Sequence, residues 1–287
     1  MAKWTAADLP DMAGRTVIVT GATSGIGRVT ARELARAGAR VTLAVRDPDR
    51  GRLVADTLPG DVQVRRLDVA DLASVRAFAR DWAGGVDILI NNAGIMQVPL
   101  ARTADGFESQ AATNYLGPFA LTSLLLPQVT DRVVTVSSQL HRRGRLHADD
   151  LNWDGRRYNP TAAYCDSKLC ATMYALELNR RLAASGGQVR SVVAHPGIAT
   201  TNLVSHVGGF PGLLNRSMKF LVNDAEHGAL PILYAATQDI PGGSYVGPDG
   251  PGGIKGHPAL GKPSSAAANP AAALALWEFS TKLTGVD

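Results

Sequence analysis

Thr16–Thr20 reads TVIVT, and residues 20–27 continue as TGATSGIG into a run of helix formers, Gly25–Ala37, that Gly38 stops. The short β-branched run reads as a buried strand. Glycines permit a tight turn and let backbone N–H groups approach a pyrophosphate, and the N-terminus of the next helix adds positive partial charge. The spacing is T-G-x-x-x-G-x-G and not G-x-G-x-x-G, because Thr30 holds the third position counted from Gly25 and Gly27. Its place between the first strand and the first helix marks a dinucleotide-binding turn, with Gly21, Thr23, Ser24, Gly25, Ile26 and Gly27 as its contacts.

Outward from this turn, strands and helices alternate. Arg40–Val45, Val62–Leu67, Val86–Ile90, Arg132–Val136 and Val189–Val193 read as further strands. Asp71–Trp82 reads as a helix that Asp71 caps, with Leu72, Val75, Phe78 and Ala79 on one face. Longer helices are expected over 103–126, interrupted around Gly117-Pro118, and over 162–184, with a last one over 270–283. This alternation predicts an α/β fold, a single-domain, doubly wound (Rossmann) parallel sheet with helices on both faces. Residues 1–287 show no linker that would divide them. Segment 203–223 is expected to be a substrate lid, and the Gly- and Pro-rich segment 241–263 a surface loop around a short strand.

Composition narrows the class. The 287 residues are 45% hydrophobic and 19% charged, ordinary for a globular protein able to bury a large core. No apolar run reaches the roughly 18–20 residues that span a bilayer. The N-terminus has no apolar signal-peptide core. Cys165 and Cys170 stand five apart, about 140° around a helix, where they cannot bridge. A reducing, cytoplasmic location is expected. Net charge is +4, and the arginine clusters at 142–145 and 156–157 read as solvated faces, so no nucleic-acid partner is expected. His141, His147 and His195 lack metal-ligand spacing, so no metal is expected. Ser138 with a distant His195 does not make a hydrolase, because no G-x-S-x-G elbow is present.

The second strand ends at Arg46-Asp47. An acidic residue about 20 past the glycines binds the ribose of NAD, and an arginine there pairs with the 2′-phosphate of NADP. Arg46 comes first after the strand and Arg28 adds charge, so NADP is favoured over NAD, with Asp47 as the alternative contact. Tyr164 and Lys168 stand four apart on a helix and share a face. An ammonium about 4 Å from a phenol at effective dielectric about 20 favours the phenolate by roughly 4 kcal/mol, some three pH units. That would poise the tyrosine as an acid/base near neutrality.

The set T-G-x-x-x-G-x-G at 20–27, Asn91-Asn92-Ala93-Gly94, Asn114, Ser138, Tyr164-x-x-x-Lys168 and Pro196-Gly197, in this order, resembles the short-chain dehydrogenase/reductase family over about residues 12–286. Asp149-Asp150-Leu151-Asn152, His195-Pro196-Gly197 and Tyr245-x-Gly247-Pro248-Asp249-Gly250 are similar to its retinol dehydrogenase-like and protochlorophyllide reductase-like branch. The resemblance implies hydride transfer between a nicotinamide cofactor and a carbonyl or alcohol substrate. It implies that Tyr164 is the acid/base, Lys168 lowers its pKa and holds the nicotinamide ribose, Ser138 binds the substrate oxygen and Asn114 holds a relay water. Asp68 and Val69 would contact adenine, and Asn92, Ala93 and Gly94 would line the groove. Pro196, Gly197, Ile198 and Thr201 would lie along the cofactor, the last two meeting the carboxamide. The same resemblance implies a homodimer through the helices at 103–126 and 162–184. A non-catalytic NADP-sensing or scaffold protein of the same fold is the alternative, and an apolar carbonyl or alcohol is the expected small-molecule substrate. Ser138 and Tyr164 are 26 residues apart. The extra segment, about 141–159, is expected to wall the substrate site, with His141 an exposed loop histidine.

Overall fold

The structure, a computed structural model, describes residues 3–197 and 224–286. Among them, eight strands form one sheet: β1 (Thr16–Thr20), β2 (Arg40–Val45), β3 (Val62–Arg66), β4 (Val86–Asn91), β5 (Val129–Val136), β6 (Arg190–Ala194), β7 (Tyr245–Pro248) and β8 (Pro258–Gly261). Their order is β3-β2-β1-β4-β5-β6-β7-β8. Pairing is parallel up to β7, and β8 closes the edge antiparallel. The strand order reverses between β1 and β4, the crevice where doubly wound sheets bind ligands at the carboxyl ends of strands.

The helices are α1 (Gly25–Arg36), α2 (Pro48–Ala55), α3 (Leu72–Arg80), α4 (Ser109–Ala111), α5 (Gly117–Leu125), α6 (Pro160–Ala184), α7 (Ala225–Thr237) and α8 (Pro270–Thr284). Residues alternate across β1, so Val17 and Val19 pack beneath α1 and α7, while Ile18 packs beneath α3, α5, α6 and α8. Two covered faces explain why β1 and β4 are apolar without alternation.

The helix expected over 103–126 begins later. Residues 103–107 turn back on themselves, with Gly106 at φ +82° and the Thr103 N–H bonding the Phe107 carbonyl. The buried Glu108 carboxylate then caps α4 by accepting from the N–H groups of Gln110 and Ala111, at 3.0 and 2.7 Å. The interruption expected around Gly117-Pro118 takes the form of a change of helix type just before it. A π-helix, Ala112–Leu116, runs between α4 and α5, and the Gly117 N–H bonds the Ala112 carbonyl. Gly117 is needed for space: a Cβ there would run into the Val69 carbonyl oxygen.

Two further elements pack on α6. Helix α8 of the same chain covers one face of α5 and α6. Trp277 stacks on Tyr174 with ring centroids 5.5 Å apart and meets Phe119 edge-on at 5.1 Å, and Tyr115 hydrogen-bonds Ser280 at 2.6 Å. Segment 145–156 packs on the rear of α6. The Arg145 N–H donates to Asp166 Oδ1 at 2.8 Å, and Arg156 donates to Asp166 Oδ2 at 3.1 Å. Asp166 lies about 200° around the helix from Tyr164. The segment therefore braces the back of α6 and reaches loop 98–110, where Asn152 accepts from the Glu108 N–H. The expected lid, 203–223, lies outside the described residues.

Candidate active site

The turn after β1 is tied to the turn after β4. Buried Thr20 accepts from the N–H groups of Asn92 and Ala93 at 3.0 and 2.9 Å. Asn92 Nδ2 donates in return to the carbonyls of Thr20 and Gly21, at 2.8 and 3.3 Å. The glycines of the turn are fixed by this approach: a Cβ on Gly21 would lie 2.8 Å from Ala93 Cα, and one on Gly27 would collide with the Asn92 amide. Gly21 also sits at φ +66°.

Ser24 is the N-cap of α1 and makes no capping hydrogen bond with its side chain. The N-termini of α2, α3, α6, α7 and α8 are each closed by an Asp or Asn side chain. The first N–H groups of α1 at Gly25, Ile26 and Gly27 thus end at the sheet's carboxyl edge without a side-chain cap, beside half-buried Thr23. Arg46 is exposed directly beyond β2. Asp47 instead caps α2, accepting from Asp49 N and Arg50 N at 3.0 and 3.1 Å. Asp68 follows β3 and accepts from the Ala70 N–H at 3.0 Å, with buried Val69 beside it.

Asn114, in the π-helical turn, accepts from Ile95 N at 2.8 Å and donates to Ile95 O at 3.0 Å and Ser167 Oγ at 2.9 Å. Ser167 donates to the Tyr164 carbonyl at 2.8 Å. Lys168 Nζ donates to the Val136 carbonyl, the end of β5, at 2.8 Å. A Cβ on Gly94 would lie 3.1 Å from Asn114 Oδ1 and 3.4 Å from Lys168 Nζ. Ser138 Oγ accepts from the Leu140 N–H at 3.2 Å, and its hydroxyl lies near enough to the Tyr164 phenol to favour the phenolate. Pro196 and Gly197 follow β6, with Gly197 at φ +73°. Ile198 and Thr201 lie outside the described residues. The structure thus brings Asn114 and Lys168 beside Gly94, and Ser138 near Tyr164, one turn before Lys168 on α6.

The electrostatics differ from the expectation. Burial pushes the Tyr164 phenol up to about 12, partly offset by the nearby Ser138 hydroxyl, and Lys168 is not among the groups that shift it. Burial brings the Lys168 ammonium down to about 8. Desolvation outweighs the anticipated Coulomb attraction because Lys168 is turned onto the Val136 carbonyl.

Two side chains carry more of the site than their sequence context indicates. Thr20 appears in the glycine motif only as its first letter, yet it joins β1 to β4. His141 is fully buried, not exposed. It lies next to Tyr245, which also faces His195, with ring centroids 5.4 and 5.1 Å from Tyr245. The run Ser138-Gln139-Leu140-His141, just after a buried strand, was the signal available for it.

A mostly parallel sheet with a glycine-rich turn at its switch point defines a doubly wound α/β architecture of the dinucleotide-binding type. The chain belongs to the short-chain dehydrogenase family, whose model matches residues 15–209. It is similar to Homo sapiens retinol dehydrogenase 13, 46% identical over 207 residues that cover 68% of this chain and 62% of that protein, less than two thirds of its length. Mus musculus polyprenol dehydrogenase is 44% identical over 246 residues, 79% of this chain and 73% of that one. The crystal structure of an uncharacterized protein from Mycobacterium paratuberculosis matches with a TM-score of 0.88 and 51% identity, over 100% of this chain and 99% of that one. Among the described residues, no helix is long and apolar enough to cross a membrane.

Thr20→Val keeps the shape of Thr20 and removes the oxygen that holds two backbone N–H groups. Unfolding free energy is expected to fall by about 2 kcal/mol, the cost of leaving such groups unpaired. Urea denaturation followed by circular dichroism measures it.

Proposed function

We propose that this chain is an NADP-preferring oxidoreductase that transfers hydride between the cofactor and an isoprenoid-like alcohol or aldehyde. The observation that carries the reading is the buried pair Tyr164 and Lys168 on one face of α6, with Ser138 near the phenol and the Lys168 ammonium bordering the space beside Gly94. The chain's residues fit the cofactor. The uncapped N-terminus of α1 and the turn at 21–27 would hold the pyrophosphate. Arg46 would pair with the 2′-phosphate, and Asp47 is committed to capping α2, which disfavours the NAD contact. Asp68 and Val69 would meet adenine, Asn92, Ala93 and Gly94 the groove, and Lys168 the nicotinamide ribose. Pro196 and Gly197, with Ile198 and Thr201 beyond them, would lie along the nicotinamide. When bound, NADP supplies or accepts the hydride.

Ser138 orients the substrate oxygen through its hydroxyl. The Tyr164 phenol stays protonated up to about pH 12 and donates its proton to that oxygen during reduction. Asn114 bridges the loop at Ile95 to Ser167 and so fixes the wall facing Lys168. Retinol and polyprenol, for which the two relatives are named, are both isoprenoid alcohols, which supports an apolar substrate of that class.

NADPH oxidation with all-trans-retinal tests the reading. Tyr164→Phe should lower kcat by at least about a hundredfold with the fold intact, as removal of a general acid does. Turnover near that of the wild type would overturn the mechanism. Arg46→Ala should weaken NADPH binding by about tenfold and leave NADH binding unchanged, followed by cofactor fluorescence, since it removes a charge-assisted contact to phosphate. The pH profile of kcat/KM reports the free enzyme. It should be flat through neutrality and fall above about pH 8 as Lys168 loses its proton.

A further inference from the structure

His141 joins Ser138 to the far edge of the sheet. The Ser138 carbonyl accepts twice from this residue, from the His141 backbone N–H at 3.0 Å and from ring Nδ1 at 2.7 Å. Ring Nε2 accepts from the backbone N–H of Ser264 at 3.1 Å, in the segment that follows β8. A carbonyl only accepts and a backbone N–H only donates, so the two partners assign the neutral tautomer with hydrogen on Nδ1. The ring is fully buried, its face lies against Tyr245, and the Tyr245 hydroxyl donates to Gln139 Oε1 at 3.4 Å. Nothing about β5 alone requires such a bridge, because Ser138 already lies beyond its end. The bridge holds the Ser138 carbonyl, while the Ser138 hydroxyl oxygen accepts from the Leu140 N–H at 3.2 Å, so both polar groups of this residue beside Tyr164 are fixed from the 139–141 turn.

We infer that His141 is a positioning residue for the hydride-transfer site: as a neutral Nδ1–H imidazole clamped between Ser138 and Ser264, it fixes where the Ser138 hydroxyl meets Tyr164 and the substrate oxygen. The inference rests on the proposed function, since it gives Ser138 the role assigned there. It adds that the β7–β8 edge, through Ser264, sets the geometry of the catalytic group.

The test separates the two ring nitrogens. His141→Asn keeps a donor where Nδ1 lies, and His141→Gln keeps an acceptor where Nε2 lies. His141→Leu fills the space with neither and serves as a second loss variant should the glutamine variant fail to fold. With NADPH and all-trans-retinal, H141Q and H141L should lower kcat by about tenfold, the size of coupling expected between contacting residues, with KM for NADPH unchanged, while H141N recovers most of the turnover. In a Ser138→Ala background the H141Q change should cost less than about twofold more, because the residue acts through Ser138. Full turnover by H141Q and H141L would overturn the inference, as would equal losses in all three variants or an undiminished loss in the S138A background. An inactive wild type with aldehydes and ketones in general would overturn the hydride-transfer reading, and this inference would fall with it.

Discussion

The hydroxyl of Thr20 ties together the two strands that flank the sheet's crossover. Through the N–H groups of Asn92 and Ala93 it holds the turn after β4 against the glycine turn after β1. Everything at the site is placed from that joint. Gly94 and Ile95 follow Ala93, and Ile95 holds both ends of the Asn114 amide. Asn114 reaches Ser167, Ser167 reaches the carbonyl of Tyr164, and one turn on, Lys168 reaches the end of β5 at Val136. Two residues past Val136, Ser138 faces the Tyr164 phenol. The chain of contacts passes through three strand ends, the π-helical turn and α6. A buried polar network of this kind is costly when half satisfied and rigid when complete.

Helix α6 divides the work between its faces. Tyr164 and Lys168, about 40° apart around the axis, look toward the site. Cys165, Asp166, Leu169 and Cys170 look away from it, and that rear face is where the residues inserted between β5 and α6 pack. Gly144 crosses α6 so closely that a Cβ would run into the Cys165 carbonyl. Arg156 stacks on Trp153 at 3.7 Å and pairs with both Asp150 and Asp166. Trp153 itself is in the left-handed region at φ +61°. With α8 covering the adjoining faces of α5 and α6, the helix that carries the tyrosine is supported on the sides that do not face the site.

Much of this was legible in the chain. The run 16–27 placed β1, the turn and α1, because a doubly buried strand and a glycine turn leave local marks. The Tyr164-x-x-x-Lys168 spacing placed two side chains on one helical face. What local pattern could not carry was the partner on the other side of a surface. The late start at Ser109 depends on a buried Glu108 cap and a left-handed Gly106. The rear packing of 145–156 depends on Asp166, which reads as an ordinary helical carboxylate. Helix α2 has its own mark in Asp47-Pro48, an N-cap followed by a first-turn proline. The burial of His141 follows from β7 and β8, which lie more than a hundred residues away in sequence. The expected depression of the Tyr164 pKa treated distance as the deciding quantity, whereas desolvation and the direction of the Lys168 side chain decide it.

Burial moves the two ionisable groups of the site in opposite directions, the phenol up to about 12 and the ammonium down to about 8. Both shifts favour the neutral form, and each unit is worth about 1.4 kcal/mol of differential interaction. An apolar side chain at position 168 would escape that cost and still fill the space under β5, so packing does not account for a lysine there. The bond from Nζ to the Val136 carbonyl uses one of the three donors an ammonium carries. The space beside Gly94 borders the same nitrogen and the Asn114 amide oxygen. Gly94 does not adopt the positive φ that Gly21 does, so backbone conformation is not what reserves that position for glycine. A side chain there would fill the approach to Lys168, and its absence leaves the buried ammonium open on the side where the strands end.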